Sequence, residues 1–394
     1  MACHYKPYHL HYAETAVDLD PASITKLKQN KSALIIVDVQ KDFLPGGSMS
    51  ILNKHANAAS KVKMMIRNIN DLIRSGKFDY HVYVQDSHPE KHITFSSSHK
   101  DCAPFQIITE AVEVVDNPLD LYPGMSGMPG MSMPIPVQMP ISMPMFYPLT
   151  PITYPFLPVD PLNPLNPGMQ LVEFLTYPEH CRQPICSTSS CGIEFAADLL
   201  IPSSFADDCC NPCNKCVDAD LNKILEAKSF VLNIGETKET ESFSAFKNYY
   251  AKETGLCKSL IDKGVTKIYV CGVALDFGVW WAAADASSYV VKPAGAAAST
   301  TTPAAAASAT LAKLFDVSVV WDASLPVPSS TSTVEYSTDP SIKSKHNEVL
   351  RTKYKTEVQS VFDGLMKTDP RSNRWVEVFL QPYSIKASST ADLL

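Results

Sequence analysis

A doubly wound parallel α/β sheet flanked by helices is the fold class this sequence predicts, on three observations. Ala33-Leu34-Ile35-Ile36-Val37 is an unbroken aliphatic run, as expected of a strand buried on both faces of a parallel sheet. Ala56 to Ile73 carries apolar residues at helical spacing and reads as the first crossover helix. Tyr80–Val84 then returns as a second short strand. Asp38 follows the first run, ahead of a Pro45-Gly46-Gly47 turn. Ligands of open α/β sheets gather beyond the carboxyl ends of the strands, which places Asp38 where chemistry happens. Capping of the following turn is the competing reading.

At 394 residues the chain has room for one large domain or two. Its net charge of −7 argues against nucleic acid as a main partner, because phosphate binding wants a basic face. No run of eighteen apolar residues is present, so no membrane span is expected. The start, Met1 to Lys6, lacks the charged-then-apolar layout of a signal peptide. The expectation is a soluble, intracellular protein with neither nucleic acid nor membrane as partner.

Residues 1–30 are mixed and polar and read as an extension ahead of the core. After the second strand come Asp86, His88 and His92, oxygen and imidazole donors at a strand end that suit a divalent metal such as zinc. A polar loop with incidental histidines is the alternative. From about residue 117 to 170 the composition changes, with fourteen of the thirty prolines between Pro118 and Pro167 and methionines among them. Proline fixes φ and removes a donor, so extended polyproline-like structure is expected rather than a helix or inner strand. The adaptable methionines suit docking to another protein, against a functionless flexible insertion. Seven of eleven cysteines lie between Cys181 and Cys216. The closely spaced Cys209, Cys210, Cys213 and Cys216 could hold a structural metal, form disulfides or stay reduced.

Ser229–Ile234 reads as a third strand and Lys267–Ala274 as a fourth, followed by Phe277-Gly278-Val279 and a helix. Residues 291–309 are Ala/Thr/Ser-rich low complexity, and Phe315–Asp322 resumes as a strand. Beyond 326 the sequence predicts a helix over 342–366 and a closing strand over 375–380.

Several of these segments resemble the nicotinamidase/isochorismatase-like hydrolases. The first is the aliphatic run with Asp38-Val39-Gln40-Lys41-Asp42-Phe43 and its Pro-Gly-Gly turn. Asp86-Ser87-His88-Pro89, with His92 and Phe95, is similar to the family's metal-binding element, with Ser87 for the usual Trp and Thr94 for the usual Ser. Tyr177-Pro178-Glu179-His180-Cys181 resembles the element that completes it. Glu241-Ser242-Phe243-Ser244-Ala245-Phe246 and the Val273–Val279 turn look like two more.

The resemblance implies a metal site of Asp86, His88 and His180, with His92 a non-ligand neighbour. It implies a pocket including Phe43, Ala274 and Gly278, and a cis peptide at Val273–Ala274. Asp38 would be the acid of a Cys-Lys-Asp triad. The chain departs from that triad, since the Lys position is Ile234 and the Cys position is Gly278. Lys238 is close in sequence to the missing lysine but lies on the following loop.

The resulting domain layout is a family domain over 31–325, interrupted at 117–170, 182–216 and 291–309, with a C-terminal extension over 326–394. The functional expectation is a catalytically inactive member that keeps a divalent metal, zinc first, and binds other proteins through its insertions. Self-association is a further expectation, since family members often oligomerise. The alternatives are metal-dependent hydrolysis of nicotinamide or a related small amide to the acid and ammonia, or residual activity through a replacement nucleophile.

Overall fold

The computed structural model describes residues 14–50, 57–104, 107–113, 157–160, 169–183, 191–205, 219–248, 252–275, 277–291, 312–326, 380 and 383–394. Asp20 opens the first helix, its carboxylate accepting the Ser23 N–H at 2.6 Å with proline next in the chain. This helix, α1 (Pro21–Leu27), follows a three-residue strand, β1 (Thr15–Val17). Both fall inside the stretch the sequence assigns to an extension. Elements this short show no resolvable period, which is why composition alone missed them.

The aliphatic run becomes β2 (Lys31–Val37), and the amphipathic stretch after it becomes α2 (Ala58–Arg74). The next strand, β3 (Tyr80–Asp86), ends on a carboxylate. Further on come α3 (Ala219–Lys228), β7 (Ser229–Ile234), α4 (Leu256–Asp262), β8 (Val265–Val273) and α5 (Gly278–Ser288). The last strands of the main sheet are β11 (Asp316–Leu325) and β12 (Lys386–Ser388), and a short helix over Thr390–Leu393 follows. These strands form one six-stranded sheet in the order β12-β11-β8-β2-β3-β7, every neighbouring pair parallel.

The order explains the unbroken aliphatic run. With strands on both sides and helices above and below, β2 alternates between two apolar layers. Ala33, Ile35 and Val37 join one core with α4 and α5, while Leu34 and Ile36 join the other with α2. Sequence order runs outward from β2 through β3 to β7, then resumes across β2 at β8 and continues to β11 and β12. The switch point therefore lies at the carboxyl ends of β2 and β8, where a crevice opens.

Two small sheets flank the main one. β1 pairs with β9 (Tyr289–Val291), which also pairs with β10 (Ala312–Lys313). The other holds β4 (Ile107–Glu113), β5 (Leu157–Asp160) and a central β6 (Met169–Leu175). The proline-rich stretch is thus not uniformly polyproline-like: residues 157–160 and 169–170 belong to strands. Among the described residues its strand proline, Pro158, sits in an edge strand, where a missing donor is tolerated. Residues 117–156 and 161–168, the cysteines 209, 210, 213 and 216, the 342–366 helix and 375–379 of the closing strand lie outside the described residues. The described strand at that sheet edge is β12, further along the chain.

His81 on β3 is 1% exposed and its Nε2 has no partner. Burial, reinforced by the Lys228 ammonium, lowers its pKa to about 4. The unfolded chain, with a histidine near 6.5, takes the proton first, so stability falls as pH drops from about 6.5 to about 4. The loss from this group is about 3 kcal/mol over that window. Urea denaturation of His81→Leu is expected to lose this part of the acid slope. Identical slopes in parent and variant would remove His81 as its source.

Candidate metal centre and pocket

At the switch point a cavity of about 70 Å³ is lined by Asp38, Asp86, His88, His180 and Glu241 on its polar side. Phe43, Met49, Tyr177, Phe243 and Phe277 form the apolar wall, and Val273, Ala274 and Gly278 close it. The Val273–Ala274 peptide is cis.

Asp38 follows β2 with φ +51, a left-handed conformation that aspartate tolerates better than most residues. Its Oδ1 is buried without a partner. Burial and then the Glu241 carboxylate push its pKa well up. Asp86 ends β3, and its pKa is raised by burial, then by Glu241 and Asp38.

The two histidine tautomers follow from their partners. His88 Nδ1 lies 3.0 Å from the Gly235 carbonyl and His180 Nδ1 lies 2.8 Å from the Pro178 carbonyl. A carbonyl only accepts, so each Nδ1 carries the hydrogen and each Nε2 presents a lone pair. Burial pushes the His88 pKa well down and that of His180 to about 4, so both rings are neutral at pH 7.

Those lone pairs face Asp86 Oδ2, at 3.2 Å from His88 Nε2 and 3.5 Å from His180 Nε2. Acceptors opposed at this distance call for a cation or a proton between them. A tetrahedral ion with ligand bonds near 2.0–2.1 Å has ligand–ligand edges of about 3.4 Å, close to the spacing found. Asp86 Oδ1 and His88 Nε2 are buried with no hydrogen-bond partner, as unfilled ligands would be. The residues fit a divalent cation. Three protein donors leave positions for other ligands, the arrangement of open rather than structural sites.

His92 stacks on His88 at 4.0 Å between ring centroids. Its Nε2 meets the Thr240 carbonyl at 3.0 Å and its Nδ1 the Thr94 hydroxyl at 2.8 Å. Both of its nitrogens are thus engaged, and its ring braces that of His88.

Glu241 and Ser242 are polar wall residues that sequence reasoning did not select, and Glu241 is the charged one. Its Oε2 lies 3.7 Å from His88 Nε2 and accepts from the Thr94 hydroxyl at 3.2 Å, while Oε1 accepts from the Ser242 N–H at 2.8 Å. The segment similar to the family was visible, but nothing local marks a glutamate that becomes 3% exposed.

Gly278 begins α5, and a Cβ there would lie 3.1 Å from Asp38 Oδ2 and 2.8 Å from Val37 Cγ1. Ile234 ends β7 in register with Asp86 and packs in the core beside Val37 and Val84. Lys238 is exposed on the following loop. Among the described residues no cysteine or lysine lines the cavity. Cys181 and Cys271 are buried, and burial pushes both thiols up, the opposite of an activated nucleophile.

A divalent cation at this site should stabilise the fold by mass action. At a hundredfold excess over Kd the gain is about 2.7 kcal/mol, and for a domain of this size Tm should rise roughly 5–10 °C. Calorimetry with zinc and after chelation measures it. An unchanged Tm would speak against binding.

No protein-family profile matches the chain. It is 27% identical to a nicotinamidase of Acinetobacter baylyi over 264 residues, 66% of this chain and 78% of that protein. It is 37% identical to a nicotinamidase of Saccharomyces cerevisiae over 79 residues, 19% of this chain and 33% of the yeast protein. Among solved structures, an Acinetobacter baumannii nicotinamidase/pyrazinamidase aligns over 93% of this chain and 99% of its own, at 19% identity and a TM-score of 0.43.

Proposed function

Because the chain is a divergent member of the nicotinamidase/isochorismatase-like family, we propose that it keeps the family's pocket and metal centre but not covalent hydrolysis, and serves as a binding protein. The observation that carries this is the surroundings of Asp38: Gly278, where a Cβ would lie 3.1 Å from Asp38 Oδ2, offers no side chain, and Ile234, at the Lys position of the resemblance, is an uncharged residue of the hydrophobic core. An acyl transfer through the protein needs a nucleophile beside its base. Among the described residues, no cysteine or lysine lines the cavity with Asp38.

Asp86, His88 and His180 would hold the divalent cation, with zinc favoured by the two imidazoles and one carboxylate. Bound there, it would supply an electrophilic anchor for a ligand lone pair. Docking of another protein on the Pro/Met-rich stretch 117–170 belongs to the same proposal and is supported by composition.

A second reading is hydrolysis of nicotinamide to nicotinate and ammonia, with Asp38 as base toward water. Its one favouring observation is the unpartnered Asp38 Oδ1 in the cavity of the metal donors. Ammonia release from nicotinamide by zinc-loaded protein separates the two. Silence alongside retained binding of nicotinamide supports the first, and turnover overturns it.

A further inference from the structure

We infer that Gln40 and Asp42 are positioning residues for the metal centre, each fixing the backbone beside a different ligand. The inference rests on the metal reading above. Both residues stand in the segment after β2, yet the ligands they serve come from elsewhere in the chain: Asp86 ends β3, and His180 lies far downstream.

Gln40 is fully buried. Its Oε1 accepts the Asp86 N–H at 2.8 Å, and its Nε2 donates to the Asp86 carbonyl at 2.8 Å. The second Nε2 hydrogen goes to the Ile193 carbonyl at 2.9 Å. One primary amide thus grips both sides of the Asp86 residue and ties it to a third segment. Asp42 is 8% exposed and uses its two oxygens differently. Oδ1 accepts the Ser48 N–H at 3.0 Å, and Oδ2 accepts the Cys181 N–H at 2.7 Å. Cys181 is the residue after His180 and holds φ +45, a conformation a side chain rarely adopts without such a tie. Gly192 lies directly over the Asp42 carboxylate, and a Cβ there would collide with it.

The residue types follow from the bonds. At position 40 one arm must accept and the other must donate twice, which a primary amide does and a carboxylate does not. At position 42 both arms receive N–H groups, which a carboxylate does and an amide does not. The alternation Asp38-x-Gln40-x-Asp42 is therefore one acid in the pocket followed by two ligand clamps, one for Asp86 and one for His180.

Asn70 supplies a matched control. It is 7% exposed, accepts the Leu200 N–H at 2.9 Å and donates to the Asp198 carbonyl at 2.8 Å, the same two-armed grip, and it does not line the cavity. Full-length parent, Gln40→Glu, Asp42→Asn and Asn70→Asp would be titrated with Co²⁺ alone, followed by its visible d–d absorption, with Tm measured on each. The two clamp variants are expected to bind Co²⁺ about 10–100-fold more weakly and to give an altered spectrum, the usual scale for groups that orient metal ligands. Asn70→Asp should lose Tm while keeping the parent's affinity and spectrum. If Gln40→Glu does not fold, Gln40→Met removes the arms without adding charge. Parent-like affinity and spectrum in the clamp variants, or an equal loss in Asn70→Asp, overturns the inference while the metal centre stands. A parent that takes up no Co²⁺ overturns both.

Discussion

Gly278→Cys combined with Ile234→Lys is expected to hydrolyse nicotinamide measurably faster than the parent protein. The Cβ at 278 would sit 3.1 Å from Asp38 Oδ2, so the new thiol arises beside the base that should take its proton. Val37 Cγ1 at 2.8 Å and the Phe243 carbonyl at 3.3 Å are the tight neighbours, and the valine methyl must give way. Lysine at 234 starts from the end of β7, in register with Asp86, and its long stem can bring an ammonium toward the carboxylates of Asp38 and Glu241. Either change alone should fail, since a buried thiol without a nearby cation stays protonated. Removing a nucleophile from a working hydrolase costs on the order of 10⁶ in rate, so even a thousandth of that recovered is a rise of about 10³-fold. The measurement is ammonia release by zinc-loaded parent, single and double variants. A double variant that binds nicotinamide but remains silent would mean that the pocket has changed in more than its two missing groups.

Gly235→Ala is expected to weaken divalent-cation binding at the candidate metal centre sharply. Gly235 has φ +71, and a Cβ there would approach Asp86 Oδ1 to 2.6 Å and the His88 ring to 2.7 Å. Its carbonyl is also the acceptor that sets the His88 tautomer. One methyl group therefore displaces two ligands and disturbs the lone pair of one of them. Metal affinity should fall by about 100-fold or more, at the upper end of what disturbed ligand orientation costs. The left-handed backbone adds roughly 1–2 kcal/mol of instability. Gly76→Ala is the comparison, with φ +68 and nothing within 4 Å of the added carbon. It should show the backbone cost and parent-like metal binding. Calorimetry and Co²⁺ titration on both variants separate strain from displacement. Equal metal affinity in the two would mean that Gly235 matters only for its φ.

The sequence by itself determined the scaffold. Ala33–Val37 is apolar at every position because both faces of β2 are covered, and a five-residue aliphatic run ending in an acid is readable without any coordinates. α2 was legible for a similar reason: seventeen residues are long enough for a 3.6-residue period to show. The three residues of β12 and the seven of α1 are too short to carry a period, and they were missed.

The site divides the same way. Asp86 and His88, close in the chain, suited a metal by chemistry but read equally as a polar loop until the resemblance made them ligands, and His180 joined them through resemblance alone, since nothing local links residues so far apart in sequence. The tertiary structure decided the rest. It turned both Nε2 lone pairs toward one carboxylate, brought Glu241 into the wall, and placed the bare Gly278 against Asp38. It also gave Gln40 and Asp42 their partners on other segments. Burial patterns are written along the chain because each position's exposure follows its own element. Hydrogen-bond partners and opposed lone pairs depend on which distant segments meet, and only the packed sheet brings them together.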